Sequence, residues 1–181
     1  MSESQFTCIL SKNQFNYNIF MIGGHGTGKT CFLDRHSSGQ FIKEYVPTLS
    51  LTSKRLSFNT SKGFFTFDVF DCPVEETSYL DIKCDVVFCF YTSQKYEETQ
   101  RLIDEYLKRH HDVLVISLWG LGDVKEEVLF LRKKMRTNKG YELLRQGRET
   151  YQISGLNNYN YEKPFLYAMR KLIGDQSLRF V

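Results

Sequence analysis

The sequence predicts an α/β domain: a doubly wound, mostly parallel sheet with helices on both faces and one antiparallel edge hairpin. Three observations carry this. Asp85–Tyr91 and Val113–Trp119 are continuous apolar runs, the pattern of strands buried on both faces. Between them, Tyr96–Arg109 sets Leu102, Ile103, Tyr106 and Leu107 at helical spacing. Two further strands, Leu49–Asn59 and Phe64–Phe70, are separated only by Thr60-Ser61-Lys62-Gly63, whose turn chemistry makes them an antiparallel hairpin.

The remaining elements follow in order. Asn16–Ile22 is a strand whose end turns fully apolar, and Gly23–Gly28 after it is a glycine-rich loop. Lys29–His36 begins a helix that Ser37-Ser38-Gly39 stops. Val124–Met135 reads as a helix and Thr150–Ile153 as a short strand. The last helix, from about Tyr161 to Ile173, lines Phe165, Met169, Leu172 and Ile173 on one stripe, and Gly174 suits its C-terminal cap. Residues 1–14 read as an N-terminal extension and 15–181 as a single domain. In such sheets ligands sit at the carboxyl ends of the strands, where the glycine loop falls.

Composition narrows the function. With 41% apolar residues and a net charge of +3, the chain is neither disordered nor a polycation that coats nucleic acid. Its longest apolar run, Val86–Tyr91, is far too short for a membrane helix. The start lacks a basic, then apolar, secretory pattern; Ser2 and the ending Arg179-Phe180-Val181 suit no lipid anchor. Five cysteines without a CxxC spacing read as reduced thiols, not a zinc site, and the expected location is cytoplasm or nucleus.

Gly23-Gly24-His25-Gly26-Thr27-Gly28-Lys29-Thr30 matches G-x-x-x-x-G-K-[ST], between a strand and a helix. Glycines let successive N–H groups point inward as an anion nest, and the helix N-terminus adds its dipole. Lys29 is expected at the outer phosphates and the Thr30 hydroxyl on Mg²⁺. Asp71 ends its strand where such nucleotidases place the carboxylate for that ion.

The segments that follow carry a resemblance. Gln40-Phe41-Ile42-Lys43-Glu44-Tyr45-Val46-Pro47-Thr48-Leu49 before a hairpin looks like the first switch of a small GTPase. Tyr151-Gln152-Ile153-Ser154-Gly155-Leu156-Asn157-Asn158-Tyr159-Asn160-Tyr161-Glu162-Lys163-Pro164-Phe165-Leu166 and Arg170-Lys171-Leu172-Ile173-Gly174-Asp175 add to it, as do Lys29–His36 and Phe130–Lys134. From about Phe15 onward the chain resembles the Ras superfamily of small GTPases, and within it the Ran family of nuclear-transport GTPases. The resemblance implies a Ras-like P-loop fold that binds GTP or GDP with Mg²⁺ and acts through protein partners. It implies nucleotide contacts along Gly23–Cys31, with Thr48 closing on Mg²⁺ and the γ-phosphate. Phe41 would lie against the guanine edge, Asp123 would read the base, and Ser154-Gly155-Leu156 would offer a backbone N–H to it.

The departures point away from an efficient GTPase. His25 stands where the family has glycine, and its imidazole would fill the place of the attacking water or lie outward. The D-x-x-G-Q motif reads Asp71-Cys72-Pro73-Val74-Glu75, so Val74 replaces the flexible glycine at the γ-phosphate. Glu75 replaces the water-orienting glutamine. Only Glu75–Lys83 separate this motif from Cys84 and the next strand, too few for a full second switch. The N-K-x-D motif reads Gly120-Leu121-Gly122-Asp123. The leading expectation is guanine-nucleotide binding with weak or absent hydrolysis. The alternatives are a nucleotide-free scaffold and an active switch in nucleocytoplasmic transport. Residues 132–148 carry seven basic residues against Glu142 alone, without interleaved stacking aromatics, which favours an acidic protein partner over nucleic acid. His110-His111 reads as a helix-ending cap, and Trp119 as packing.

Overall fold

A computed structural model describes residues 13–41, 44, 46–120 and 147–181. Among them the chain runs β1 (Gln14–Gly23), α1 (Lys29–Ser38), β2 (Thr52–Thr60), β3 (Gly63–Asp71), a 3₁₀ turn at Ser78–Asp81, β4 (Val86–Tyr91), α2 (Tyr96–Leu107), β5 (Leu114–Gly120), β6 (Glu149–Ile153) and α3 (Lys163–Ile173). The sheet order is β2-β3-β1-β4-β5-β6. Only β2 and β3 pair antiparallel; β1 runs parallel to both β3 and β4. The doubly wound expectation therefore holds.

Alternation along β1 explains the layers. Ile19 and Met21 face the α1 and α3 side, with Phe32, Leu33, Phe165, Ala168 and Met169. Phe20 and Ile22 face the α2 side, with Ile103, Tyr106 and Trp119. Phe165 is fully buried and its ring meets Phe32, His36, Phe58, Phe67 and Phe88. Gly63 closes the hairpin at φ 137°, and a Cβ there would lie 2.1 Å from the Asn13 carbonyl. Among the described residues no helix is long and apolar enough to cross a membrane.

Several boundaries move, each for a local reason. β1 starts at Gln14, inside the expected extension, because β3 pairs with it from Gln14 onward. β2 starts at Thr52 instead of Leu49, because Thr52 already pairs with Asp71, the last residue of β3. Leu49 is left 86% exposed. α3 starts at Lys163, two residues after the expected start, with Glu162 at its N-cap and Pro164 in its first turn, where a missing N–H costs nothing. α2 ends at Leu107, and His110 is no simple cap. Its ring packs on Tyr106 and Nε2 lies 2.9 Å from the Leu80 carbonyl. Where a second-switch helix cannot fit, the chain makes only the 3₁₀ turn. The expected helix Val124–Met135 lies outside the described residues.

Candidate functional site

The phosphate loop is fixed from behind. Gly23 has no room for a Cβ, which would sit 2.7 Å from the Phe90 carbonyl. Gly26 and Gly28 take φ of 66° and 90°, and the Thr27 hydroxyl donates to the Gly24 carbonyl at 2.9 Å. From α2, the Thr99 hydroxyl accepts from the Gly24 N–H at 2.9 Å and donates to the Phe90 carbonyl at 2.9 Å. Glu98 accepts from the His25 N–H at 3.3 Å. The sequence reading missed both residues. Its one available signal was a threonine on the buried stripe of an amphipathic helix, where a hydroxyl needs a partner.

Lys29 is buried and folds back on the loop, donating to the carbonyls of Gly23 at 2.7 Å and Gly24 at 3.3 Å. An ammonium has three donors, so one remains for a phosphate. Burial draws its pKa below the ordinary lysine value, and the Asp71 carboxylate opposes that.

Thr30, Thr48 and Asp71 meet at one point. The two hydroxyls lie 2.8 Å apart, and each donates to Asp71 Oδ2, at 2.5 Å from Thr30 and 3.3 Å from Thr48. Asp71 is fully buried, and its Oδ1 has no hydrogen-bond partner. A buried carboxylate oxygen without a partner is costly. An all-oxygen set of two hydroxyls and a carboxylate is the donor chemistry of Mg²⁺. These residues therefore fit the ion.

The loop opens on a cavity of about 450 Å³ lined by His25, Gly26, Thr27, Gly28, Lys29, Thr30, Cys31, Phe41, Thr48, Pro73, Val74, Ser154 and Gly155, among others. At its far end a Cβ on Gly155 would meet Tyr161 Oη at 2.7 Å and the Phe41 ring at 2.8 Å. Phe41 thus lies on this wall, with Tyr161, which the sequence reading had placed in a helix. Gly23 and Gly24 support the loop from outside the cavity lining. Leu156 is 42% exposed and also lies off it. Asp123 lies outside the described residues, as does the basic stretch up to Gln146. Of that stretch, Arg148 is half-buried and donates to Tyr91 Oη at 3.5 Å.

Residues 18–174 match the family model of the Ras family. The chain belongs to the Ras family. Its fold is the Ras-like P-loop fold, and it is a small GTP-binding protein. The Ras family in general binds guanine nucleotide with Mg²⁺ and acts through protein partners.

In this Ras-family chain, the Glu75 carboxylate is engaged by a phosphate-loop side chain. Its Oε1 lies 2.8 Å from His25 Nε2. The imidazole turns across the loop mouth to the second-switch segment, which answers where it points. Thiol chemistry gives a check on the cavity. Burial pushes the Cys84 thiol up to about 11 and holds Cys72 and Cys89 well above their ordinary value, whereas Cys31 is half-exposed on the lining. Iodoacetamide at neutral pH should label Cys31 and spare Cys72, Cys84 and Cys89 until denaturation, and Mg²⁺–GDP should slow the Cys31 labelling. Peptide mass spectrometry reads both; labelling of Cys72, Cys84 and Cys89 equal to that of Cys31 would contradict the buried placement.

Proposed function

We propose that this protein is a divergent, Ran-like guanine-nucleotide-binding protein that hydrolyses GTP slowly or not at all and works through protein contacts. The observation that carries the binding half is the convergence of Thr30, Thr48 and Asp71 beside Lys29 at the mouth of the phosphate loop. When bound there, Mg²⁺ neutralises phosphate charge. The loop amides and Lys29 hold the phosphates, and Phe41 and Gly155 flank the base end.

The hydrolysis half rests on what faces the outermost phosphate. Val74 lines the cavity where the family has glycine, and Glu75 carries no amide donor and is engaged by His25. Neither residue positions water. Losing one preorganised group of this kind costs about 2–4 kcal/mol of transition-state stabilisation, and losses in one constellation do not add. Single-turnover assays on GTP-loaded protein should give a rate at or below the slow intrinsic rate of a small GTPase, unchanged by an arginine-inserting activator. His25→Gly with Glu75→Gln should raise it only modestly. A large fall on Glu75→Ala would make Glu75 a working base and overturn this half.

One observation favours the scaffold alternative: Phe41 and Tyr161 crowd the Gly155 wall. Calorimetry with GDP, GTP and ATP separates the two. No heat with any of them at millimolar ligand leaves the scaffold.

A further inference from the structure

His25 and Glu75, the two departures at the phosphate end, meet each other across the cavity mouth. His25 belongs to the phosphate loop and Glu75 to the segment after β3, and the bond between them is 2.8 Å. His25 lines one side of the cavity and Pro73 and Val74 line the other. The bridge therefore ties the two walls together at the phosphate end.

The two sides are unequal in what holds them. On the loop side, Glu98 takes the His25 N–H and Thr99 takes the Gly24 N–H, while Lys29 fastens the carbonyls of Gly23 and Gly24. That wall cannot yield without breaking several buried bonds. On the other side the Glu75 side chain is 68% exposed, against 39% for His25. Beyond it Glu76 accepts the Leu51 N–H at 2.7 Å, and the chain turns into the short 3₁₀ turn. The movable half of the pair is Glu75.

We propose that the His25–Glu75 bridge is a latch against a third phosphate, so that the site prefers a nucleoside diphosphate and admits a triphosphate only by breaking the bridge. This rests on the guanine-nucleotide reading above. Two phosphates are served by the loop amides, the remaining Lys29 donor and the Thr30–Thr48–Asp71 cluster. A third extends beyond the loop, between His25 and Val74, and brings its charge up to the Glu75 carboxylate. A half-exposed side-chain bridge of this kind holds little by itself. The discrimination comes from the like charge, which penalises the triphosphate and leaves the diphosphate untouched. Val74 extends the same wall in place of a flexible glycine, so relief requires Val74 and Glu75 to move together, between the buried Cys72, whose N–H binds the Met21 carbonyl, and Glu76, which accepts the Leu51 N–H. Triphosphate occupancy is then reported as displacement of that segment, independent of hydrolysis.

The experiment uses the full chain with Mg²⁺ and either GDP or a non-hydrolysable GTP analogue. By calorimetry, wild type should favour the diphosphate by about tenfold or more. Glu75→Gln, which keeps the side-chain size and removes the charge, should bring the ratio to within about threefold. His25→Ala keeps the charge but frees the exposed Glu75 side chain to swing outward, so it should narrow the ratio less than Glu75→Gln, and the double variant should narrow it no further than Glu75→Gln. Hydrogen exchange supplies an independent readout. Without nucleotide, the Leu51 amide, held by Glu76, and the Leu80 amide, held by the Thr77 carbonyl, should exchange faster in Glu75→Gln than in wild type. In wild type the triphosphate should accelerate them and the diphosphate should not. Equal or tighter binding of the triphosphate by wild type overturns the latch alone, as does unchanged exchange in Glu75→Gln. Binding of neither nucleotide overturns the guanine-nucleotide reading, and the latch with it.

Discussion

Replacing Lys29 with alanine is expected to abolish measurable guanine-nucleotide binding while the protein stays folded. The Lys29 ammonium is buried, with Asp71 as its chief counter-charge, and it donates to the carbonyls of Gly23 and Gly24. Truncation removes the phosphate-facing donor and leaves Asp71 uncompensated beside an incoming anion. Truncating one partner of a buried, hydrogen-bonded charge pair in a complex, here the ammonium that faces the phosphate, costs about 2–5 kcal/mol, or about 1.5 to 3.7 decades of affinity. The fold pays less. Two loop carbonyls lose a donor, roughly 1–2 kcal/mol, and a domain of this size responds with a fall in Tm of about 3–6 °C. Calorimetry and a thermal melt measure the two effects. Retained nucleotide affinity would place the phosphate elsewhere, and outright unfolding would make Lys29 a structural strut of the loop.

Phe165→Ala should be the most damaging core substitution. This ring stacks on Phe32 with centroids 5.8 Å apart and meets Phe88 edge-on at 5.1 Å. It also contacts Phe58 from the hairpin and Phe67 from β3. It therefore joins α3 to α1 and to three strands at once. A buried Phe→Ala change costs about 3–5 kcal/mol, a large share of a typical stability of about 5–15 kcal/mol. Urea denaturation should show the midpoint falling with the slope unchanged. A loss under about 1 kcal/mol would mean that the surrounding rings close over the gap.

What was legible in the sequence was what is written contiguously. β4 and β5 stand out because both their faces are covered, so the run is apolar without alternation. The phosphate loop and Asp71 are readable for the same reason: eight successive residues, or one carboxylate at the end of one strand. The start of β2 was not readable, because it depends on where β3 stops. The two-residue shift at the start of α3 was not readable, because the turn before it is closed by backbone bonds between Ser154 and Tyr159, which leave no mark in side-chain type. In the site, the meeting of His25 with Glu75 and the support from Glu98 and Thr99 join segments far apart in the chain. Each residue could be flagged as odd or polar. Only the fold shows which of them face each other.

The position of β1 bears on how the chain reaches this fold. The strand made first lies between β3 and β4, in the interior of the sheet. Its Asn18 N–H is bound by the carboxylate of Asp85, 67 residues later. The face that carries Ile19 and Met21 shares its layer with Phe165 of α3, the last helix. Until β3, β4 and then α3 are available, an apolar strand with two unpaired edges must wait. Sheets closed by such distant parallel pairings assemble slowly. A nascent chain in that condition is exposed to aggregation through the open edges. For this protein the interval between synthesis of β1 and synthesis of α3 is the one in which a chaperone has the most to protect.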